Sequence, residues 1–212
     1  MIHAYQEMYV NKAQSSLADQ FDYGINVCNI SGADFVKLFL ASSISKRIEN
    51  GEPNYLVGKS GIEMVMDILE ETMGRQVNIK PQERYTRTIE YWIGWAISYY
   101  QWYSDKKFSE IFEAVSYEQL YKMYYTLHEA DISKFVEVMD ALISAHYPET
   151  NLKRIRTMYG CSQSILAKIS GVSLRSIQMY EQRNKDINKA GAETLYRLAR
   201  ALGCSMEDLL EK

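Results

Sequence analysis

Cysteine, proline and long apolar runs are all scarce in this chain, and each scarcity removes a class of protein. Only Cys28, Cys161 and Cys204 occur in 212 residues. They are odd in number, far apart and without a C-x-x-C pair. That argues against a disulfide framework or a structural zinc and toward a reducing compartment. Each reads as a small buried apolar residue rather than a reactive thiol. Three prolines, Pro53, Pro81 and Pro148, leave most of the chain free to be helical. No apolar run reaches the roughly 18 residues of a membrane span. The opening MIHAYQEMYVNKAQ lacks both the basic and the apolar regions of a secretory signal. A cytoplasmic protein with no membrane partner is expected.

Catalytic patterns are missing as well. His3, His128 and His146 are isolated, with no H-E-x-x-H and no carboxylate at ligand spacing. The stretch VGKSG at 57–61 has part of a phosphate loop, but the first glycine of that motif would fall at 53, where Pro53 stands. Ser60 reads better as a helix cap. LHEAD at 127–131 has no second histidine and reads as one helix end followed by the next N-cap. No glycine-flanked serine or Cys–His signature supplies a nucleophile. No enzyme, metal or cofactor is expected.

What is present is charge divided between two halves. The net charge is −3. Residues 1–149 hold 13 Lys and Arg against 21 Asp and Glu, whereas residues 151–200 hold 10 against 3. Such a split points to a polyanion partner for one end only. Hydrophobic content of 47% and charged content of 24% suit an ordinary globular protein.

The hydrophobic period is helical nearly throughout, so the fold class is all-α. Leu17, Phe21, Ile25 and Cys28 recur at helical steps. Ser31 caps a helix carrying Phe35, Leu38, Phe39 and Leu40 that fades by 49–54. Ser60 begins another, with Ile62, Val65, Met66, Leu69 and Met73 on one face and Gly74 as its stop. A loop through Pro81 leads to an aromatic helix over 87–103, followed by helices at 108–114, 116–127 and 131–146. Pro148 ends the last of these where the charge changes sign. The expected division is an acidic helical domain at 1–148 and a second domain at 150–212.

The second domain has tighter spacing. Leu152, Ile155 and Met158 share a helical face that stops at Gly160. Ser162 caps QSILAKIS, whose inward positions are Ile165, Leu166 and Ile169. Gly171 permits a left-handed turn, Val172 fills the corner and Ser173 caps the next helix, with Ile177 and Tyr180 inward. Two helices so joined form a helix-turn-helix.

Residues 151–210 resemble the DNA-binding domain of Cro/cI-type (XRE-like) repressors, over the segments NLKRIRTMYG, SQSILAKI, SGVSLRSIQMYEQ, GAETLYRLARALG and SMEDLLEK. Gln163, Ala167, Gly171, Val172, Ser173, Ile177 and Glu181 carry the resemblance. It implies a five-helix, lambda-repressor-like domain that binds double-stranded DNA as a homodimer. The second helix of the motif would enter the major groove. Position by position, Gln163 falls near a phosphate or base edge, and Leu174, Arg175 and Met179 point at bases. Ser173 and Ser176 lie near the backbone, Gln178 at the edge of the interface, and Arg183, Asn184 and Lys185 in a loop suited to phosphate. Two departures stand out. Gln182-Arg183 replaces the Asn-Gly common after the motif glutamate, so a different turn is expected there. Leu174 and Met179 replace polar readers.

In the first domain Trp92, Trp95, Tyr99 and Trp102 form one helical stripe among many tyrosines. It reads as core, and its excess of tyrosine suits a protein interface. The patterns FDYGIN, GKSGIE, EYWIGWAISYYQWY and TLHEADISKF resemble antitoxin-type regulators of toxin–antitoxin operons. That resemblance implies an autorepressing antitoxin whose first domain binds a protein toxin. The alternative is a one-component transcription factor whose first domain senses a ligand or only dimerises.

Overall fold

The structure is a computed structural model that describes residues 3–74, 87–147 and 149–211. Among these residues it contains twelve α-helices and no strand. The chain divides into two compact units, Met1–His146 and Tyr147–Lys212. The loop expected through Pro81 and the helix stop expected at Pro148 lie outside the described residues.

The first unit comprises α1 (Val10–Asp22), α2 (Gly32–Ala41), α3 (Ser43–Glu49), α4 (Gly61–Met73), α5 (Ile89–Ser104), α6 (Phe108–Ala114), α7 (Tyr117–Leu127) and α8 (Ile132–His146). Most of these helices start on a side chain that satisfies an orphan amide. Ser31 Oγ accepts from Asp34 N, and Thr88 Oγ1 from Tyr91 N. The Ser60 hydroxyl and Glu63 close a capping box at the head of α4. Lys59, the lysine of the phosphate-loop look-alike, has its ammonium 2.5 Å from Asp67. The start of α6 is held from outside itself, because the Phe108 N–H donates to Glu49 Oε1 at 2.6 Å.

α1 and α5 pack along most of their length, and glycine is what lets them approach. A Cβ on Gly94 would lie 2.5 Å from the Leu17 carbonyl oxygen and 2.8 Å from Ala18 Cα. Thr88 Oγ1 also donates to Asp22 Oδ1 at 2.6 Å, pinning the start of α5 to the end of α1. Around this pair sit Phe21, Phe35, Phe39, Ile93, Ile97, Tyr100, Phe108 and Phe135, all buried. Phe21 meets Phe35 edge-on at 5.3 Å and Phe39 meets Phe108 edge-on at 5.0 Å, geometries that aromatic quadrupoles favour. The Tyr100 hydroxyl donates to Asp140 Oδ1 at 2.7 Å, which ties α8 to α5. Burial, with that carboxylate beside it, pushes the phenol above its ordinary range.

Three expectations need correction. The helix begun at Ser31 breaks at Ser42, whose extended backbone ends α2 while its buried hydroxyl accepts from Ile44 N and opens α3. On α4 the inner face is Met64, Val65, Ile68 and Leu69; Met73 is exposed, and Ile62 and Met66 are only partly covered. The close approach of Gly61 to Ser16 O sets that rotation. On α5 the buried line is Ile93, Ala96, Ile97 and Tyr100. Of the aromatic stripe only Trp102 is buried, stacked on His3 at 4.1 Å; Trp92, Trp95 and Tyr99 are half-buried, and Trp92 meets Tyr124 of α7 and Phe135 of α8 edge-on.

Gly94→Ala is expected to destabilise this unit by about 1–3 kcal/mol, because the obstructing atoms are backbone and α1 must shift. All three tryptophans belong to α5, so their fluorescence during urea unfolding reads the loss directly. An unchanged midpoint would show that the two backbones are not in close contact.

Candidate nucleic-acid interface

The second unit is built from α9 (Asn151–Met158), α10 (Gln163–Ser170), α11 (Leu174–Glu181) and α12 (Ala192–Leu202). The fifth segment, SMEDLLEK, forms the single 3-10 turn Glu207–Leu209. Thr150, Ser162 and Ser173 each accept an amide of the following first turn, starting α9, α10 and α11. Leu152, Leu166, Ile177, Leu198 and Leu209 are fully buried and form the centre of the core.

The connection between α10 and α11 is short. Gly171, at φ +70°, ends α10 in the left-handed conformation, its N–H bonded to Ala167 O. Ser170 Oγ donates to Leu166 O at 2.6 Å and accepts from Val172 N at 3.2 Å, so the turn is fastened from inside. Val172 is buried in the corner and Ser173 opens α11.

Ile165 and Ile169, expected to point inward, are about half exposed, at 50% and 49%. The inner face of α10 is Leu166 and Ser170, with Ala167 partly buried against the core. On α9 the inward positions are Leu152, Ile155, which is partly buried against the core, and the guanidinium of Arg156. Met158, two residues further round, is therefore turned outward and 77% exposed.

Arg156 carries the contact that composition and motif did not reveal. Its Nε donates to Glu181 Oε1 at 2.6 Å, its Nη2 to Glu181 Oε2 at 2.9 Å, and its Nη1 to Cys161 O at 2.7 Å. Gln163 Nε2 donates to the same Glu181 Oε2 at 2.7 Å. The Arg156 and Glu181 side chains are 12% and 2% exposed. Hydrogen bonding to Glu181 raises the guanidinium's proton affinity against the opposing cost of burial. One carboxylate thus binds α9, the start of α10 and the end of α11 together. The signal available in the sequence was a pair of opposite charges at inward registers, Arg156 one turn after Leu152 and Glu181 one turn after Ile177.

With its inner face locked, α11 presents one outer face. Leu174, Arg175, Gln178 and Met179 fall within it by helical angle, opposite Ile177 and Tyr180. Leu174 and Arg175 are exposed, while Gln178 and Met179 are half-buried. Among the described residues the Arg175 guanidinium makes no ion pair or hydrogen bond. Ser173 is exposed, and its hydroxyl accepts from Ser176 N at 3.1 Å and donates to Ser176 Oγ at 2.9 Å. Gln163 is half-buried, with its amide nitrogen engaged by Glu181.

The loop residues Arg183, Asn184 and Lys185 are exposed beyond the end of α11. Arg183 takes the left-handed conformation at φ +56°, the backbone that Asn-Gly turns supply at less strain. Its Nη2 donates to Tyr147 O at 3.2 Å and reaches Glu211 Oε2 at 3.5 Å. Asn184 Nδ2 donates to Gln182 Oε1, and Lys185 lies over the Tyr180 ring at 5.1 Å.

Arg156→Ala is expected to cost about 3–5 kcal/mol, because it leaves a carboxylate that is 2% exposed without its partner. Arg156→Met with Glu181→Leu removes both charges and should recover most of that loss. Hydrogen exchange at the α9 and α11 amides in the full chain measures both effects. A single variant no worse than the double one would refute a structural role for the pair.

Among the described residues, no group of three or more His, Cys, Asp and Glu side chains could hold a metal ion, and no helix is long and apolar enough to cross a membrane. Neither a curated protein nor a solved structure matches the chain. The family model described as helix-turn-helix matches residues 152–209, from the first buried leucine of α9 to the last of the core. Residues 152–209 are a helix-turn-helix domain, a match that supports a Cro/cI-type DNA-binding transcriptional regulator.

Proposed function

We propose that the chain reads double-stranded DNA in a sequence-specific way through α11 and represses transcription as a homodimer. The observation that carries this is the outer face of α11, where Arg175 stands exposed and uncompensated on a helix whose inner face is locked. A planar guanidinium suits bidentate donation to guanine O6 and N7, and Leu174 suits a thymine methyl group. Ser173, Ser176 and Gln163 flank that face and serve the backbone. Arg183, Asn184 and Lys185 add donors for phosphate. Two copies then read two half-sites of an inverted repeat, about one helical turn apart or a multiple of it.

The finer part of the proposal concerns the acidic unit. We read it as the partner-binding module of an autorepressing antitoxin, with a protein toxin as its partner. Supporting this is α7, where Leu120 alone is buried while Tyr117, Tyr121 and Tyr124 are half-covered and Tyr125 is 64% exposed. Tyr121 meets Tyr125 edge-on at 6.2 Å, and Tyr124 stacks on His128 at 4.3 Å. Rigid aromatics of this kind gain contact area at small entropic cost and dominate protein interfaces. The excess of carboxylates in residues 1–149 suits a basic partner and repels DNA.

Arg175→Ala should weaken binding to the specific operator by about 1–3 kcal/mol and relax one base position. Titrations at several salt concentrations should retain a steep dependence on ionic strength. A footprint unchanged in strength and sequence preference removes Arg175 from the reading set.

For the partner, full-length chain bearing Tyr121→Ala and Tyr125→Ala should lose capture of the neighbouring gene's product, and rescue of growth, by at least about tenfold. Its DNA affinity should stay unchanged. If the unaltered chain neither captures that product nor rescues growth, while a small metabolite shifts its DNA affinity, the ligand-sensing alternative replaces the antitoxin reading.

A further inference from the structure

The second unit carries a groove of about 400 Å³ between the C-terminal half of α9 and the segment from Leu202, where α12 ends, to Asp208. Ile155 and the buried Leu202 line its apolar part, and Met158 and Tyr159 stand beside them, 77% and 56% exposed. These are the largest exposures among the large hydrophobic side chains of this unit. Arg156 explains the first of these: with its guanidinium turned into the core at Glu181, Met158, two residues further round α9, must point outward. Methionine and tyrosine are residue types enriched in protein interfaces. The groove shares no residue with the outer face of α11.

Charge identifies the occupant. The same groove is lined by one cation, Arg154, and one anion, Asp208. A surface meant for a polyanion or for a basic partner would carry a single sign. A patch with one charge of each sign flanking an apolar centre is complementary to its own image, since a twofold axis sets Arg154 of each copy opposite Asp208 of the other. We propose that this groove is the seat of a second copy of the chain, with Met158 and Tyr159 packed across the axis. The inference rests on the homodimer reading above and assigns it a surface.

The test is sedimentation equilibrium of the full chain at micromolar concentration without DNA, so that a failure of DNA recognition cannot be mistaken for a failure of this interface. The unaltered chain should sediment as a dimer, and Met158→Lys with Tyr159→Lys should weaken dimerisation by at least about tenfold. Both lysines lie at the C-terminal end of α9, where cations are tolerated, and a preserved cooperative melt confirms that the variant is folded. Arg154→Glu alone should weaken the dimer, and adding Asp208→Lys should restore it in part. A monomeric unaltered chain overturns the homodimer and this interface together. A dimer indifferent to the Met158 and Tyr159 changes, or a double charge exchange weaker than Arg154→Glu alone, overturns the interface and leaves the homodimer standing.

Discussion

Between α9 and α11 a guanidinium and a carboxylate meet almost out of contact with water, and the orientation of α11 depends on that meeting. Glu181 receives two bonds from Arg156 and one from Gln163, so three helices share one anion. Desolvating two charges is costly, and such pairs add little to stability compared with apolar packing of the same volume. What this pair adds is register. A rotation of α11 that brought Arg175 toward the core would pull Glu181 away from Arg156, and a buried carboxylate without its partner is strongly disfavoured. The outer face of α11 is therefore specified from the inside. The same anchor turns Met158 outward at the end of α9, and so connects α11 to the groove there.

The first unit has a different kind of constraint, the approach of two backbones. Gly94 and Gly61 let α5 and α4 reach α1 closely enough that a methyl group at either position would meet main-chain atoms. Close packing of this sort buries polar residues along with apolar ones; Gln14, Ser16, Gln20, Ser98 and Gln101 are all 3% exposed or less. Rotation of each helix is then fixed by contact rather than by hydrophobicity. That is why the inner face of α4 runs through Met64 and Ile68 and leaves Met66 and Met73 toward the outside.

Surface chemistry divides along the same line as sequence. Cations accumulate in the helix-turn-helix unit, where Arg175 has no counter-ion while Arg183 is held near Glu211 and Lys153 near Glu149. Pairing leaves these lysines and arginines near the surface while lowering their free charge, in contrast to the exposed guanidinium of Arg175. In the acidic unit the conspicuous exposed feature is aromatic rather than charged, along α7.

Helix positions, caps and the helix-turn-helix were legible in the sequence, because Ser31, Ser60, Ser162, Ser173, Gly74 and Gly171 act on their own neighbours through local hydrogen bonds and backbone freedom. The all-α class followed from the period for the same reason. What the tertiary structure alone decided was which side of each helix faces inward. Ile165, Ile169 and Met158 look like core by composition yet lie outside, because Ser170, Leu166 and the Arg156–Glu181 pair claim the inner positions. The aromatic stripe of α5 similarly gave way to Ile93, Ala96, Ile97 and Tyr100, a line whose Tyr100 end is fastened to α8 through Asp140 and Phe135. Arg183 in a left-handed turn belongs here too: local preference argues against it, and its bonds to Tyr147 and Glu211, 36 and 28 residues away, hold it there. Local rules name the elements, and long-range contacts choose their faces, because burial is decided by what a helix meets rather than by what it is made of.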